Sequence, residues 1–520
     1  MGRVHRLHPR TPSAPPAELR VFVHPLQLRA VRAWLGLAWV ALMLQSCYRE
    51  EVVFETVPDD GFELTPVLSI QGKACCLHAA DRSLRCPMIL DGFLAARVEH
   101  PDHVALWFEG MPLTDGAVND FGAVEYRKGY ELVVQIGDQR DTLTLSFTNL
   151  PLVHVVTPNP IHNEPKALAR MHVIHPDPDT PTETHWVGIE HRGRTSLRYD
   201  KKSYGLALKG GPNLDVDRSA SLSGMPPANK WMLHAAWVDP SRMRNGLSFD
   251  LWTAVHGQLG METQHVELFL NQARQGLHEF SHRLNAETMG LEGEDAVVYK
   301  AWAWEDGATQ FVADPDGEPC SEEWEGWYQE HPDPAESLNW GPLQTLRELT
   351  TSGSDEAFVE GIADLVDLDN LADGYVLLNV VMGLDNAGKN LFWVEDAALG
   401  ALHMVPWDMD GTWGRWWDGA PIDAQTVVTN GLFRRLIETN AGQFRSRLQD
   451  RWDDLRLGAC ATDSLKGMVS QRTAWLLKSD VVELENRTWE AALDLAAEEA
   501  FIHQWLDLRL ARLDEHFEGL

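Results

Sequence analysis

The chain carries Asp385-Asn386-Ala387-Gly388-Lys389-Asn390 and then, after an apolar stretch, Pro406-Trp407-Asp408-Met409-Asp410-Gly411. Each stretch combines a turn-forming glycine with side chains that end in carboxylate or amide oxygens. Mg²⁺ is bound in proteins by such oxygens, usually from one or two carboxylates together with substrate phosphates. The two stretches therefore predict one site built from two loops, and the fold has to bring these loops together.

The spacing within these stretches is typical of phosphoryl-transfer sites. Asp385 precedes Asn390 by five residues, and a further carboxylate, Asp408, follows. Phosphoryl transfer needs cations on the triphosphate, oxygen ligands for Mg²⁺ and a carboxylate that orients the attacking hydroxyl, and protein kinases place the carboxylate and the ligands in this order. The cations are predicted upstream, where Lys201 and Lys202 lead into a strand; neighbouring strand residues face opposite sides, so one lysine can point into a cleft.

A series of sequence blocks follows in a fixed order: Arg192-Gly193 with Ser196, Lys201-Lys202-Ser203-Tyr204, Gly224-Met225-Pro226, Trp231-Met232-Leu233, Met243-Arg244-Asn245, Val266-Glu267-Leu268-Phe269-Leu270-Asn271, Gly276, Asn379 with Asp385 and Asn390, and Pro406-Trp407-Asp408 with Asp410 and Gly414. Through these blocks, residues 150 to 515 resemble the CotH family of atypical, secreted or spore-coat kinases.

The resemblance implies roles for the residues of the predicted site. Asp385 would be the catalytic carboxylate, and Asn390 and Asp408 would bind Mg²⁺ or Mn²⁺. Lys202 or Lys201 would bind a phosphate group of ATP. These expectations follow from the family and not from the spacing alone.

Three further residues are implied near the same site. Arg244 and Asn245, on the helix that follows the lysine strand, would brace the nucleotide site. Asp410 would be a second metal ligand or would support one through a hydrogen bond, and capping of the turn at Gly411 explains it almost equally well. The histidines, His234 among them, show no spacing typical of metal ligands and are expected to be structural.

The chain departs from the family pattern after the predicted hairpin, where a glutamate–lysine pair is expected and His282-Arg283 is found. If that glutamate anchors the nucleotide-binding lysine, His282 removes the carboxylate that would hold the ammonium in place. Glu279, three residues earlier, is the candidate substitute. A catalytically inactive pseudokinase that serves as a surface binding or scaffold protein, with polysaccharide as one partner, is therefore the alternative to an active enzyme.

Length and periodicity predict an α+β chain with several domains, because 520 residues exceed what one hydrophobic core usually organises. Short alternating runs in residues 50–153 predict a small antiparallel β-sandwich. Residues 154–420 mix strands and helices and would form the core of a two-lobed, kinase-like domain, and residues 421–520 have the helical periodicity of its C-terminal part. The acidic insert of residues 305–336 is expected to be a solvated loop.

The first 47 residues predict export. Arg29 and Arg32 precede an apolar run from Ala33 to Leu44, which is followed by Gln45-Ser46-Cys47. A basic region, a short apolar region and small residues before a cysteine are typical of a bacterial lipoprotein signal. Because a plain signal peptide with an incidental cysteine is the alternative, the protein is expected to be a cell-envelope lipoprotein anchored at Cys47 or a secreted protein.

Net charge excludes two classes of binding partner, and the cysteines offer candidate disulfide bridges. The net charge of −33 argues against nucleic acid or an anionic membrane surface, because either would attract a basic face. In an exported protein, Cys86 with Cys75 or Cys76 is the easiest bridge, and Cys320 with Cys460 is another option.

The function expected from all these features is that of an exported kinase. It would move the γ-phosphoryl group of ATP, with Mg²⁺ or Mn²⁺, to Ser or Thr residues of secreted or envelope proteins. A strongly acidic chain would favour basic acceptors.

Overall fold

The computed structural model describes residues 62, 64 and 66–520, except 258, 305, 306, 315, 316 and 318. The predicted signal segment of residues 1–47 lies outside the described residues. In the part of the chain that the structure describes, no helix is both long and apolar enough to cross a bilayer.

The strands nearest the N-terminus form two sheets over one apolar core. Their bounds are β1 (Ser69–Ile70), β2 (Lys73–Ala74), β3 (Cys76–His78), β4 (Ser83–Pro87), β5 (Phe93–Glu99), β6 (Val104–Phe108), β7 (Met111–Leu113), β8 (Val118–Ala123), β9 (Tyr130–Ile136) and β10 (Gln139–Thr148). The strand orders are β2-β1-β5-β8 and β3-β4-β10-β9-β6-β7. β5 alternates exposed and buried side chains, as expected of a strand with one face on a core. Leu94 of one sheet and Leu132 and Phe147 of the other belong to the same buried cluster.

One strand pair differs from the antiparallel arrangement that the sequence predicts. β4 and β10 pair in parallel, with Cys86 opposite Phe147. A parallel pair needs a long crossover connection, and the strands β5 to β9, which lie between β4 and β10 in the chain, provide it.

The next strands close into a barrel. Their bounds are β11 (Leu152–Val156), β12 (Ala167–Ile174), β13 (Glu183–Arg192), β14 (Ser203–Gly211), β15 (Asn213–Asp217), β16 (Lys230–His234), β17 (Thr263–Leu270) and β18 (Ala273–His282). The order is β13-β12-β11-β17-β18-β16-β14-β15, and β13 also pairs with β14, which closes the ring and leaves β15 outside it. Closure pairs the strand edges, and side chains such as Val187, Leu206 and Phe280 fill the interior.

A further sheet has the order β20-β21-β19-β22-β23. Its strands are β19 (Val297–Ala301), β20 (Glu323–Trp324), β21 (Trp327–His331), β22 (Leu391–Glu395) and β23 (His403–Pro406). The expectation of a solvated loop at residues 305–336 is wrong for this part of the segment, because β20 and β21 belong to the sheet. Trp327 is 0% exposed, and the apolar area of an indole ring favours such burial.

Helices dominate the second half of the chain. Their bounds are α1 (Arg244–Val255), α2 (Gly341–Thr351), α3 (Asp355–Leu365), α4 (Leu368–Val381), α5 (Gly431–Thr439), α6 (Phe444–Arg456), α7 (Thr462–Leu476), α8 (Val481–Trp489) and α9 (Leu495–Glu518). α4 is buried on nearly all sides, as expected of a helix at the centre of a large core. Its N-cap, Asp367, accepts the N–H of Asn370 at 2.7 Å, and it ends at Met382 in the left-handed region, with φ 56°.

Several antiparallel sheets combined with these helices confirm the predicted α+β class. The predicted cysteine bridges are wrong for this structure, because the described cysteines are free thiols. Cys75 and Cys86 share a hydrogen bond instead, and burial raises the pKa of the Cys75 thiol well above its usual range. A thiolate is the form that attacks in disulfide exchange, and burial disfavours it.

Candidate active site

A cavity of about 410 Å³ lies between the barrel and the helical part of the chain. Such a volume is typical of small-molecule sites. The barrel side contributes residues from the connection between β13 and β14 and from the segment after β16. The other side contributes residues after β19, after α4 and after β23. The predicted site residues that line this cavity are Lys201, Asp385, Asn390, Asp408 and Asp410.

Asp385 lies in a 3-10 turn shortly after α4. Trp304 Nε1–H donates to its Oδ1 at 2.8 Å, and Asn390 Nδ2–H donates to its Oδ2 at 2.8 Å. Lys389 Nζ lies 3.0 Å from the same Oδ2. A carboxylate offers about four acceptor positions, so these contacts orient Asp385 and leave room for a further hydroxyl.

The loop that carries Asp385 is tied to the strand end that precedes Asp408. Asn386 Nδ2–H donates to the carbonyl oxygens of Asn390 at 2.9 Å and of Trp407 at 2.7 Å. These two hydrogen bonds connect the two sequence stretches directly, because one side chain of the first stretch holds the backbone of both.

Asp408 and Asp410 lie together with a residue that the sequence did not single out, His234. Each offers one ligand atom, and the three atoms lie within 4.8 Å of one another. His234 Nε2 is 3.7 Å from Asp410 Oδ2. Among the described residues, no Lys or Arg forms an ion pair with either carboxylate. Burial raises the pKa of Asp410 well above its usual range, and the neighbouring Asp408 adds to this effect.

This donor set fits a divalent cation. Two adjacent carboxylates repel each other when both are ionised, and a cation between them removes that repulsion while supplying the oxygen ligands that Mg²⁺ and Mn²⁺ take. Asp408 has a φ of 54° and Asn390 a φ of 55°, both in the left-handed region. Asn and Asp enter this region more readily than other non-glycine residues, and their surroundings hold them there.

Asn245, in the first turn of α1, holds the loop after β23. Its Oδ1 accepts the backbone N–H of Met409 at 3.0 Å, and its Nδ2–H donates to Glu279 at 2.8 Å. Met409 lies between Asp408 and Asp410 in the chain. Asn245 therefore holds the backbone between the two carboxylates. The bracing of a nucleotide site that the resemblance implies for it stays a prediction.

Arg244 supports the same loop from inside the protein. Its Nε–H donates to the carbonyl oxygen of Thr412 at 3.0 Å. The guanidinium is fully buried and pairs with Asp239 at 2.5 Å and with Glu498 at 2.9 Å. These carboxylates satisfy the buried charge, so Arg244 acts as a structural support and its guanidinium is committed to protein groups.

Lys201 is the predicted lysine that faces the cavity. Its ammonium is fully buried, lies 2.5 Å from Glu485 and donates to the carbonyl oxygen of Leu277. Burial lowers the pKa of Lys201 to about 8, against the opposing effect of Glu485. Burial acts to raise the pKa of Glu485, but Lys201 and Arg242 outweigh it and leave that pKa lowered. Below about pH 8 the two side chains form a buried ion pair.

Lys202, the other predicted phosphate ligand, has a different environment. Its ammonium donates to the carbonyl oxygens of Leu197, at 2.7 Å, and of Tyr199. Both lysines lie in the connection between β13 and β14, just before β14 begins at Ser203, so the strand alternation expected from the sequence does not apply to them. Lys202 braces the β13–β14 connection, while Lys201 lines the cavity.

The carboxylate that anchors Lys201 comes from a part of the chain that the sequence did not indicate. Glu485 lies on α8, 284 residues after Lys201. Glu279, the candidate substitute, is not the partner: it accepts from Asn245 and from the N–H of Gly246 at 2.9 Å, and burial raises its pKa to about 7. His282 Nε2 accepts the N–H of Glu262 at 3.3 Å.

Aromatic rings and further cations complete the cavity wall. The Arg194 guanidinium lies 4.2 Å from the centre of the Trp302 ring. Tyr199, Trp237 and Trp417 also line the cavity. Flat rings of this kind stack on planar ligands, and the guanidinium adds positive charge next to them.

Sequence reasoning missed three residues of this site for different reasons. His234 stands alone in the sequence, without a second ligand at metal-typical spacing. Glu485 is distant in the chain, and Trp304 is one of 21 tryptophans. Proximity in the sequence marks none of them, so only the folded arrangement identifies them.

Comparison with known families agrees with the geometry. A search of curated proteins finds no match to this chain. The family model described as CotH kinase protein matches residues 189–513, a range that starts in β13, ends in α9 and contains every residue that lines the cavity. Since this range covers more than half of the 520 residues, the chain belongs to the CotH kinase protein family.

Proposed function

We propose that this protein is a kinase that transfers the γ-phosphoryl group of ATP to serine or threonine hydroxyls of exported proteins. The observation that carries the proposal is that Lys201, Asp385, Asn390, Asp408 and Asp410 line one cavity. Together they offer the cation, the orienting carboxylate and the metal-ligating oxygens that phosphoryl transfer needs. Membership of the CotH kinase protein family supports the proposal.

Basic side chains would hold the triphosphate. The Lys201 ammonium is kept in place by Glu485 and by the carbonyl oxygen of Leu277. Lys389 and Arg194 border the same cavity. Cations fixed in advance stabilise the charge on the transferring group without reorganising during the reaction.

Asp408 and Asp410, together with Asn390, would hold a divalent ion. Asn390 commits its Nδ2–H to Asp385, which leaves its Oδ1 free to act as an acceptor. When bound, Mg²⁺ or Mn²⁺ neutralises negative charge on the phosphate oxygens. Asn245 fixes the backbone between the two aspartates, because its Oδ1 accepts the N–H of Met409.

Asp385 would accept the proton of the acceptor hydroxyl. The hydroxyl oxygen forms a bond to the γ-phosphorus while the bond from that phosphorus to the β–γ bridging oxygen breaks. ADP leaves with the electron pair, and the hydroxyl proton passes to Asp385. Trp304 and Lys389 keep the carboxylate oriented throughout.

Charge and the N-terminal sequence support the choice of acceptor. A net charge of −33 attracts basic proteins and accelerates their encounter. The basic, apolar and cysteine-containing N-terminus supports export, either as a lipoprotein anchored at Cys47 or as a secreted protein.

An inactive scaffold is the second candidate function, and it rests on His282. His282 cannot supply the carboxylate that would hold the lysine ammonium, but Glu485 supplies one beside Lys201. This contact favours the active enzyme. Thermal denaturation with ATP and Mn²⁺ separates the two, because a ligand that binds only the native state raises the Tm. An unchanged Tm at millimolar nucleotide would favour the scaffold.

Labelling with γ-labelled ATP tests the transfer itself. The full chain, Asp385→Asn and Asp408→Asn are incubated with Mg²⁺ or Mn²⁺ and a basic protein. Asp102→Asn is the matched control, since Asp102 is an exposed aspartate between β5 and β6. We expect label with the wild type and the control and none with the two site variants. Background label in all four samples would refute turnover.

A further inference from the structure

His234 is only partly buried, whereas His265 and His278 of the barrel are fully buried. His265 and His278 direct ring nitrogens at backbone carbonyl oxygens, of Arg242 at 2.7 Å and of Lys202 at 3.0 Å, and His265 Nε2 also lies 3.7 Å from the single carboxylate of Glu279. Such contacts are typical of structural histidines. The His234 ring instead faces two carboxylates across the cavity.

The geometry suits a single ion. His234 Nε2 is 3.7 Å from Asp410 Oδ2, and the three ligand atoms of the cluster lie within 4.8 Å of one another. Metal–nitrogen and metal–oxygen bonds of about 2.0–2.2 Å place neighbouring ligand atoms of one ion roughly 3–4 Å apart. Small side-chain rotations therefore bring all three atoms onto one ion.

A nitrogen ligand changes which ion such a site prefers. Mg²⁺ takes oxygen ligands almost exclusively, whereas imidazole increases the affinity for first-row transition ions. Oxygen donors alone, the two carboxylates and the Asn390 amide oxygen, would discriminate weakly between Mg²⁺ and Mn²⁺. The imidazole nitrogen therefore decides the selectivity.

We infer that His234 is a nitrogen ligand of the ion held by Asp408 and Asp410, so that this site selects Mn²⁺ over Mg²⁺. The inference deepens the proposed function, since it concerns the metal that would serve phosphoryl transfer. It assigns to His234 a role that the sequence did not predict for it.

Mn²⁺ titration of the full chain without nucleotide tests the inference. Electron paramagnetic resonance measures free Mn²⁺ directly, and competition with Mg²⁺ gives the selectivity. We expect the wild type to prefer Mn²⁺ over Mg²⁺ by about tenfold or more and His234→Ala to change Mg²⁺ affinity little. The variant should lose at least about tenfold in Mn²⁺ affinity, since removal of a group that merely supports a metal ligand already costs about that much. His103→Ala, at an exposed position of the β5–β6 connection, is the matched control.

A spectroscopic measurement on the wild type makes the test independent of whether the variant folds. Electron spin-echo envelope modulation of bound Mn²⁺ detects a directly coordinated imidazole nitrogen. We expect this nitrogen signal in the wild type and in His103→Ala, and its loss in His234→Ala. A wild type that binds no Mn²⁺, binds it without the nitrogen signal or prefers Mg²⁺ would overturn the inference.

Asp385→Asn distinguishes this inference from the proposed function. This variant should lose transfer and keep the nitrogen signal, because the metal titration contains no nucleotide. A wild type that shows the nitrogen signal but never labels an acceptor would refute the kinase and leave His234 as a metal ligand. A wild type that labels an acceptor but lacks the nitrogen signal would support the kinase and refute His234 as a metal ligand.

Discussion

At the scale of single residues, Asp385 is the side chain whose chemistry is easiest to isolate. Asparagine has nearly the same size and keeps one acceptor oxygen, which can still accept from Trp304. Its Nδ2 cannot accept from Lys389 or Asn390, and it cannot take a proton from an acceptor hydroxyl. We expect Asp385→Asn to lower kcat by roughly 10²–10⁴-fold. The KM for ATP should change less, because the phosphate contacts remain. Steady-state transfer kinetics measure both, and a kcat above a tenth of the wild-type value would exclude Asp385 as the base.

Lys201 predicts a pH dependence. Burial lowers its pKa to about 8, and a neutral amine no longer attracts phosphate. Since kcat/KM reports groups of the free enzyme, we expect kcat/KM for ATP to fall as the pH rises above about 8. Lys201→Arg stays charged over this range, so its profile should lack this decline. A wild-type profile that stays flat to pH 10 would contradict the role of Lys201.

Lys201 also makes the free energy of unfolding depend on pH, and this quantity rises with pH where kcat/KM falls. The unfolded lysine keeps its proton up to a pKa of 10.5, whereas the folded one loses it at about 8. Between these values the unfolded chain binds more protons, so this group makes the free energy of unfolding rise with pH. The cost of burying the ammonium is complete below pH 8 and is relieved as the pH approaches 10.5.

At the scale of structural elements, the loop after α4 and the end of β23 act as one unit because Asn386 joins them. Asn386→Ala leaves the carbonyl oxygens of Asn390 and Trp407 without these donors, at a cost of about 1–3 kcal/mol for each buried group left unsatisfied. We expect a lower Tm and a lower kcat, because Asp385 loses its fixed position. Asn163→Ala, at an exposed loop position, is the control. Equal Tm and kcat in the two variants would show that the loop holds its shape without Asn386.

Elements with strong local patterns could be predicted, and elements that depend on distant partners could not. β13 and β14 have apolar residues in strand context, and α4 has a capping aspartate and an apolar body. β20 and β21 lie in an acidic segment whose composition suggests solvent exposure. β21 becomes a strand because β19 supplies its hydrogen-bonding partners, and β20 pairs with β21 in turn. Their own side chains Trp324 and Trp327 are buried, which adds stability.

At the scale of the whole molecule, Glu485 of α8 pairs with Lys201, which lines the cavity. Glu485→Gln leaves the buried Lys201 without its counterion, and breaking a buried pair costs about 3–5 kcal/mol. We expect a clear fall in Tm and a higher KM for ATP, measured by calorimetry and transfer kinetics. Glu483→Gln, on the same helix, removes an exposed ion pair with Arg127, which contributes little. A Tm of Glu485→Gln equal to that of this control would refute the anchor.

The sequence by itself determined the α+β class, the family and the two stretches that carry Asp385, Asn390, Asp408 and Asp410. It could do so because spacing, turn residues and strand alternation are local properties of the chain. Only the tertiary structure decided that Glu485 anchors Lys201, that Lys202 turns to backbone carbonyls and that His234 joins the two aspartates. Glu485 and Lys201, and His234 and the two aspartates, are far apart in the chain, so only the fold brings them together. Lys202 binds carbonyl oxygens three and five residues away, but the conformation of that connection is also set by the fold. Burial favours such pairing, because a buried charge without a partner is costly.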